Sequence, residues 1–365
     1  MKLKYEILIA LLLVACIVVP ASAAGGSGTA SDPYRIQTAA ELQSINNNLG
    51  AYYILMNDID LSGRTWTPIG TSSVGFHGSF DGNGKTIKNL ALSSTSQSAG
   101  FFGGVTSGAT IKDVTFQDCS VTSTSSWCGV VIGSIIMSSS AHETAVISNV
   151  DCVRCSASAS SSDVGCLVGL IYTSAVVEIV DCEVSYSEAE SASSVIVGCL
   201  VGECHGASST EITRCDVLYS HARASSAAVG CLVGVCGGAS SLVIDSSTAQ
   251  NSIAESASSN IVGCLVGQCH GASSVNALNC EALNCLAKGT NYVGGVFGYC
   301  GDSGSVITAQ MCEVTDCTIV ATSNYAGGIA GRCNSGTTGI FSGCTVTDST
   351  IIATGYAAGV CPAYS

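Results

Sequence analysis

The chain contains an internal repeat of about 32 residues, and this repeat restricts the available folds more than any other feature. A Gly-x-hydrophobic-x-Gly motif begins at residues 100, 129, 165, 198, 230, 263, 294 and 327, and a degenerate ninth copy begins at Ala358. Short β-prone segments and turns separate the copies, and no helical periodicity appears after residue 50. The third residue of every copy is large and apolar: Phe102, Val131, Leu167, Leu200, Leu232, Leu265, Val296, Ile329 and Val360.

This period favours a β-solenoid in which each repeat forms one coil of short strands. Equivalent residues of successive coils then stack at about 4.8 Å, the spacing of neighbouring parallel strands. The apolar third positions would form one continuous ladder inside the solenoid. A β-propeller is the alternative repeat fold, but its blades need about 40 residues and four strands. The sequence therefore predicts an all-β parallel β-helix, or β-solenoid, of about nine coils.

Cysteine recurs at two positions of the repeat. Because side chains alternate along a strand, an inward third position predicts that the second and fourth positions point outward. In the middle copies the second position is cysteine and the fourth is valine: Cys166 and Val168, Cys199 and Val201, Cys231 and Val233, Cys264 and Val266. A second ladder follows at a position whose facing stays open because a turn intervenes: Cys204, Cys236, Cys269, Cys300 and Cys333.

These ladder cysteines, together with Cys361, are the candidate disulfide or cross-linking residues. The Cα spacing of stacked neighbours allows a disulfide, but the side-chain direction is unfavourable, so pairing across a coil or with another molecule stays an alternative. A third interpretation treats the ladder cysteines as small buried apolar side chains.

The first residues have the pattern of a secretory signal peptide. Lys2 and Lys4 precede the apolar segment 7–20, and small residues follow it, so we expect cleavage between Ala23 and Ala24. A lipid on Cys16 is the alternative, but the apolar residues directly after Cys16 argue against it. Without residues 1–23 the chain keeps 21 of its 22 cysteines, so at least one cannot pair within the chain. We therefore expect an extracellular protein of the cell envelope or an outer sheath.

The charge balance excludes some functions. The net charge is −14, and from residue 116 onward there are 5 basic residues against 19 acidic ones. Nucleic-acid binding requires clustered lysine and arginine, so no nucleic-acid partner is expected. Beyond the leader no apolar run reaches the roughly 20 residues needed to span a bilayer.

Residues suited to catalysis or metal binding are scattered. Cys204-His205 and Cys269-His270 lack the paired spacing of zinc ligands, and the calcium-loop-like segment from Asp58 has Ile69 where glutamate is required. Polysaccharide lyases with this fold use acidic clusters with a basic partner, and the repeats offer almost no basic residue. We expect no enzymatic activity, no cofactor and no metal.

Residues 24–63 differ from the repeats and are predicted to form an N-terminal cap. Thr38 and Glu41 have the spacing of a capping box that opens a short helix from residue 39 to 48, which would cover the first coil. Asn83-Gly84 indicates a tight turn between strands. The parallel β-helix itself is assigned to residues 64–361, and residues 362–365 form a C-terminal tail.

Segments 34–42, 53–61 and 80–90, together with Tyr292-Val-Gly-Gly-Val-Phe-Gly298, resemble the GLUG-repeat surface proteins. The resemblance covers most of residues 32–360 and implies a right-handed parallel β-helix. The middle copies have cysteine where the family usually has a second glycine, as at Gly295 and Gly328. This enrichment resembles the cysteine-rich protein of the tubular sheaths of methanogenic archaea.

Together these features predict an exported structural protein whose partner is itself. Copies would join by edge-to-edge β contacts and intermolecular disulfides into a reinforced envelope layer or sheath. The alternative is a secreted adhesive or carbohydrate-binding β-helix that acts as a monomer.

Overall fold

A computed structural model describes residues 25–125, 127–136, 143–161, 163–193, 196–226, 228–258 and 261–362. The predicted leader, its cleavage point at Ala23 and Ala24, and Cys16 lie outside the described residues. The described chain is an all-β parallel solenoid of about nine turns. Among the described residues, no helix has the length and apolar character needed to cross a membrane. The fold class predicted from the repeat is therefore confirmed.

Each coil contributes strands to four parallel sheets, named A to D in the order in which the chain passes through them. Sheet A is formed by Tyr34–Ile36, Tyr52–Leu55, Ile59–Asp60, Ser79–Lys88, Thr110–Gln117, Thr144–Val153, Val176–Val180, Glu183–Ser185, Ser209–Thr213, Asp216–Leu218, Ser241–Asp245, Thr248–Gln250, Ser274–Leu278, Glu281–Leu283, Val306–Gln310, Glu313–Thr315, Thr338–Ser342 and Thr345–Thr347. Sheet B is formed by Ala91–Ser94, Ser120–Ser123, Ser156–Ala159, Glu188–Ser191, His221–Ala224, Ile253–Ser256, Leu286–Gly289, Thr318–Ala321 and Thr350–Ala353.

The other two sheets follow the glycine motif. Sheet C is formed by Cys128–Gly129, Val164–Gly165, Val197–Gly198, Val229–Gly230, Ile261–Gly263, Tyr292–Gly294, Tyr325–Gly327 and Tyr356–Ala358. Sheet D is formed by Phe102–Thr106, Ile132–Ile136, Val168–Tyr172, Val201–Cys204, Val233–Cys236, Val266–Cys269, Phe297–Cys300 and Ala330–Cys333.

Alternation along each strand separates the interior from the surface. In the sheet A strand Val176–Val180, Val177 and Ile179 are buried, while Glu178 is exposed. Each residue pairs with its counterpart in the next coil, so Ile179 stacks on Ile212, which stacks on Ile244. The core is therefore a set of ladders in which like positions contact each other.

Sharp corners link the strands of sheet A to each other and to sheet B. One residue at each corner has a left-handed backbone, such as Asn279 with φ 52° and Asn284 with φ 50°. Asparagine and aspartate tolerate this conformation best, but Arg214 and Tyr219 adopt it as well, with φ 51° and 49°. Stacking on the neighbouring coils holds these less suitable residues in the corner conformation.

The apolar third positions form the predicted interior ladder, with one correction. Leu167, Leu200, Leu232 and Leu265 are fully buried, and backbone hydrogen bonds link Leu167 to Leu200 (3.2 Å) and Leu232 to Leu265 (3.0 Å). In the first copy, however, Phe102 pairs with Ile132, a fourth position. The bend before this strand is one residue shorter in the first copy than in the second. Phe102 therefore stacks on the fourth position of the next copy, and the prediction that it stacks on the third was wrong.

The N-terminal cap has the predicted capping box. The backbone N–H of Glu41 donates to Thr38 Oγ1 (3.3 Å), and the backbone N–H of Thr38 donates to Glu41 Oε2 (3.0 Å). The α-helix Ala39–Gln43 is shorter than predicted and continues as the 3₁₀ helix Ser44–Asn47. Its apolar side chains are buried against the first coil.

Asn83-Gly84 does not separate two strands. Both residues have positive φ, 51° and 66°, but they lie inside the single strand Ser79–Lys88, where the pairing shifts register between Asp81 and Lys85. The predicted turn is therefore a bulge, which the left-handed preference of Asn-Gly suits equally well.

The Leu200→Asp substitution tests the interior ladder. We expect it to lower the free energy of unfolding by several kcal/mol, on the order of 4, because an unpaired charge would be buried among leucines. Ser209→Asp, at an exposed position on the following strand, is the matched control and should cost little. Urea unfolding followed by circular dichroism measures both changes, and equal costs for the two variants would contradict the assignment.

Candidate functional site

The glycines of the repeat let sheet C lie directly on sheet D. A Cβ at Gly165 would lie 2.1 Å from the carbonyl oxygen of Val168, and a Cβ at Gly202 would lie 2.4 Å from the carbonyl oxygen of Gly169. Neither position has room for a side chain. The two sheets therefore pack backbone against backbone, and the outward side of sheet D is covered by sheet C.

This packing overturns the predicted outward stripe. Cys166, Cys199, Cys231 and Cys264 are fully buried, and so are Val168, Val201, Val233 and Val266. Cys166 and Leu167 lie in the bend between the strands Val164–Gly165 and Val168–Tyr172, so the alternation of a regular strand does not apply to them. Both side chains point into the solenoid. The Cys166 thiol lies 3.4 Å from the carbonyl oxygen of Glu188 on sheet B.

The second predicted ladder lies at the end of sheet D, also inside. Consecutive members are register partners: Cys204, Cys236, Cys269, Cys300 and Cys333. The row continues past its last strand, since the Sγ atoms of Cys333 and Cys361 are 3.9 Å apart. Burial raises the pKa of the Cys204 thiol to about 12. Because the thiolate is the reactive form, the Cys204 thiol is inert while it remains enclosed.

A third ladder, between sheets A and B, was missed by the sequence analysis. It consists of Cys119, Cys155, Ser187, Ser220, Ser252, Cys285, Cys317 and Ser349, each directly before a strand of sheet B. The backbone N–H of Cys155 donates to Ser187 Oγ (2.9 Å), and that of Ser187 donates to Ser220 Oγ (3.1 Å). Both serine and cysteine occur at this position because either side chain can accept the hydrogen bond from the preceding coil. Because two residue types share this position, its period is not visible when cysteine alone is considered.

A fourth ladder follows the corner within sheet A: Cys182, Cys215, Ser247, Cys280, Cys312 and Cys344. Two of its cysteines, Cys182 and Cys215, lie in segments with the pattern Ile-x-x-Cys-x-Val, which begin at Ile179 and Ile212. Of the 21 cysteines described, only Cys344 and Cys361 are partly accessible to solvent; the rest are buried. Both accessible residues belong to the last described coil.

The last described coil is named the open coil because, within the described residues, its strands pair on one side only. Its strands Thr338–Ser342, Thr345–Thr347, Thr350–Ala353 and Tyr356–Ala358 pair with the preceding coil alone within the described ranges. Phe341, Val346 and Ile351 are half-buried, whereas their stacked counterparts Ala309, Val314 and Ile319 are fully buried. Tyr356 is 65% exposed and Val360 is 47% exposed. Within the described residues, the helix Ala39–Gln43 packs on the first coil, and the last coil has half-buried or exposed apolar side chains and strand edges that pair on one side.

The acidic side chains of Asp163 and Glu203 lie close together beneath the surface formed by sheets C and D. Asp163 is 7% exposed and precedes the strand Val164–Gly165, and half-buried Glu203 lies on the strand Val201–Cys204. Burial raises the pKa of Asp163 to about 6, although its hydrogen bond with Glu203 acts in the opposite direction. Burial and then the interaction with Asp163 raise the pKa of Glu203 to about 8. The pair is held by a hydrogen bond that needs a proton on one carboxyl group.

The histidines form a small surface cluster. The rings of His205 and His270 are 6.4 Å apart, and Tyr172 stacks on His205 at 5.6 Å. His270 Nδ1 lies 4.0 Å from Asp302 Oδ2, and burial lowers the pKa of His270. Within the described residues no group of three or more histidine, cysteine or acidic side chains is arranged to hold a metal ion.

Two proteins show local sequence similarity to this chain. Halomucin from Haloquadratum walsbyi is 40% identical over 121 residues, which cover 30% of this chain and 1% of halomucin. A "Putative Gly-rich membrane protein" from Evansella cellulosilytica is 35% identical over 100 residues, which cover 25% of this chain and 12% of that protein. The chain therefore matches only a small part of the length of either relative. No protein family model matches it.

A solved structure supports the fold. A "putative immunoglobulin A1 protease" from Bacteroides ovatus superposes with a TM-score of 0.52 at 19% identity, covering 93% of this chain and 86% of that chain. At this identity the similarity concerns the fold alone.

Thiol labelling tests the inward orientation of the cysteines. In the reduced, folded protein we expect iodoacetamide to modify Cys344 and Cys361 first, because the remaining described thiols are buried. Peptide mass spectrometry identifies the labelled positions. In denaturant, iodoacetamide should label all of the cysteines. Rapid labelling of Cys166, Cys199, Cys231 or Cys264 in the folded protein would contradict the inward orientation and support the predicted outward one.

The carboxyl pair predicts the pH dependence of stability. Between the ordinary carboxyl pKa, about 4, and the raised values, the folded state holds protons that the unfolded state has released. Stability attributable to the pair is therefore present at low pH and lost as the pH rises through about 6 and about 8. Each such proton contributes a slope of at most about 1.4 kcal/mol per pH unit.

Glu203→Gln should flatten this loss, because the amide can still hydrogen-bond Asp163 without releasing a proton. Glu211→Gln, on the exposed side of sheet A, is the control and should leave the slope unchanged. Thermal unfolding from pH 5 to pH 9 measures both. A wild-type protein whose stability rises over this range would contradict the proposed protonation.

Proposed function

We propose that the protein is an exported structural protein that assembles with copies of itself into a cell-envelope layer, and in the narrower form of the proposal into a sheath. The observation that supports this proposal is that the strand edges of the open coil have no partner within the described residues. A row of unpaired strand edges flanked by exposed apolar side chains is a template for another β element. Copies would join there, edge to edge.

The accessible cysteines make this coil a candidate for covalent reinforcement. Cys344 and Cys361 are the two described cysteines within reach of another molecule. Cys361 has an internal neighbour in Cys333, at an Sγ–Sγ distance of 3.9 Å, whereas Cys344 lies beside the open edge and donates to the carbonyl oxygen of Ala309 (3.3 Å). Cys344 is therefore the better candidate for an intermolecular disulfide, and the enclosed ladders are candidates for bonds within one copy.

Several further features support a structural role at the cell boundary. One local relative is named as a membrane protein, and the chain resembles the GLUG-repeat surface proteins and, more narrowly, the tubular sheath protein of methanogenic archaea. The long faces of the solenoid carry few charges, which favours assembly over a freely soluble rod. The proposal includes no catalytic activity, because the acidic and histidine groups described above lack the basic or nucleophilic partners that such chemistry needs.

Sedimentation of the mature protein with and without reductant tests this function. We expect the wild type to pellet as a polymer without reductant, even in strong denaturant, and to be released when reductant is added. Cys344→Ser combined with Cys361→Ser should leave a folded protein that no longer pellets in strong denaturant without reductant. Cys231→Ala removes one enclosed thiol and is the matched control, which should pellet like the wild type.

The opposite result would be equally clear. If the wild type is a soluble monomer without reductant, the structural-layer proposal is wrong. The secreted adhesive or carbohydrate-binding β-helix would then be the better account.

A further inference from the structure

Sheet B carries a row of alternating charges on its outer surface. Glu190, Arg223, Glu255 and Lys288 occupy the same outward position in four successive coils and are register partners. Neutral residues continue the row on both sides, Ser158 before it and Val320 after it. The signs run −, +, −, + at the spacing of parallel strands, about 4.8 Å. This charge row therefore spans four coils and is bounded by a neutral residue at each end.

Only the centre of the charge row is neutralised within one copy. Arg223 Nε lies 3.1 Å from Glu255 Oε1, and His221 Nε2 lies 3.3 Å from the same oxygen. Glu190 and Lys288, at the two ends, form no ion pair within the described ranges of the chain. The unsatisfied charges are thus opposite in sign and symmetrically placed about the central pair.

Most other basic side chains of the repeats have partners. Arg154 and Arg214 each bind an aspartate of the preceding coil, with Nε–Oδ1 distances of 2.7 Å and 2.6 Å. The Arg332 guanidinium lies over the Tyr325 ring at 5.1 Å. In a chain with so few basic residues, Lys288 is unusual because it is exposed and forms no ion pair within the described residues.

A groove of about 430 Å³ runs beside the charge row. Its floor consists of small buried residues, Ser191, Ala224, Ser256 and Gly289. Its far side is formed by further small residues such as Ser225 and Thr290. The groove can therefore accept the long stems of arginine and lysine side chains that approach from outside.

We propose that sheet B is a lateral contact between two copies of this chain, related by a two-fold axis perpendicular to the solenoid axis. Reversing the row −, +, −, + produces its complement. Glu190 then faces Lys288 of the second copy, and Arg223 faces Glu255 of the second copy. Two copies side by side in the same direction and in register would place like charges together, and an offset of one coil would leave one charge of each copy unopposed. The antiparallel arrangement opposes all four charges, so the complementarity favours it.

The lateral contact rests on the proposed self-assembly for its role, but it uses a different surface from the open coil. Exposed ion pairs are individually weak, so the charge row mainly sets orientation and register. We therefore expect a modest, salt-sensitive affinity that suffices when copies are already held in a layer. A lateral contact combined with an end contact links rods in two directions, which extends an assembly beyond a closed pair.

Charge reversal tests the contact. Reduced, full-length mature protein is examined by sedimentation velocity in low salt, where we expect reversible dimers that 0.5 M NaCl dissociates. Lys288→Glu and Glu190→Lys alone should each raise the dimer dissociation constant at least about tenfold. The double variant Glu190→Lys with Lys288→Glu changes the row to +, +, −, −, which is again complementary to its own reverse, and should return to within about threefold of the wild type. Arg154→Glu, which makes the same charge change on another face, is the control and should dimerise normally.

The outcomes separate this contact from the proposed function. A monomeric wild type in low salt, or a double variant no better than the single ones, overturns the lateral contact. The pelleting of the protein without reductant is measured independently, so a layer that still forms would keep the structural function while removing this interface. Rescue by the double variant has no explanation in terms of folding alone, because a destabilised chain would not recover through a second charge change.

Discussion

Hydrogen bonding between successive parallel coils is the interaction on which the rest of this structure depends. Each coil must follow the backbone path of the coil before it, because the N–H and C=O groups of one coil are satisfied by the next. A residue's nearest neighbour is therefore its counterpart one repeat away, as Leu167 is to Leu200. This constraint explains why apolar, cysteine, serine and charged residues all occur as ladders, and why the pairing is one-sided at the open coil within the described residues.

The repeat was sufficient to predict the solenoid, because a fixed period limits the chain to folds that stack. It was insufficient to predict where side chains point at the corners. Cys166 was assigned to the surface by strand alternation, yet the Gly-Cys-Leu-Val segment bends between two sheets and both side chains turn inward. That bend depends on sheets C and D packing through Gly165 and Gly202, a tertiary contact that no local pattern encodes.

Other differences have similarly local causes. A coil shortened by one residue moved Phe102 out of the ladder, and the preference of Asn83-Gly84 for a left-handed backbone was satisfied by a bulge in place of a turn. The ladder that contains Cys155 and Ser187 escaped notice because two residue types share its role. A periodicity search that groups serine with cysteine as acceptors at one position would have detected it.

The central claim is that coil-on-coil stacking continues from one copy to the next. Electron cryomicroscopy of the assembled protein tests it most directly, since the 4.8 Å spacing of parallel strands identifies coils in a reconstruction. The account predicts that the strands of the last coil, residues 338–358, are covered by β structure from a neighbouring copy. An assembly in which this coil faces solvent would contradict the account.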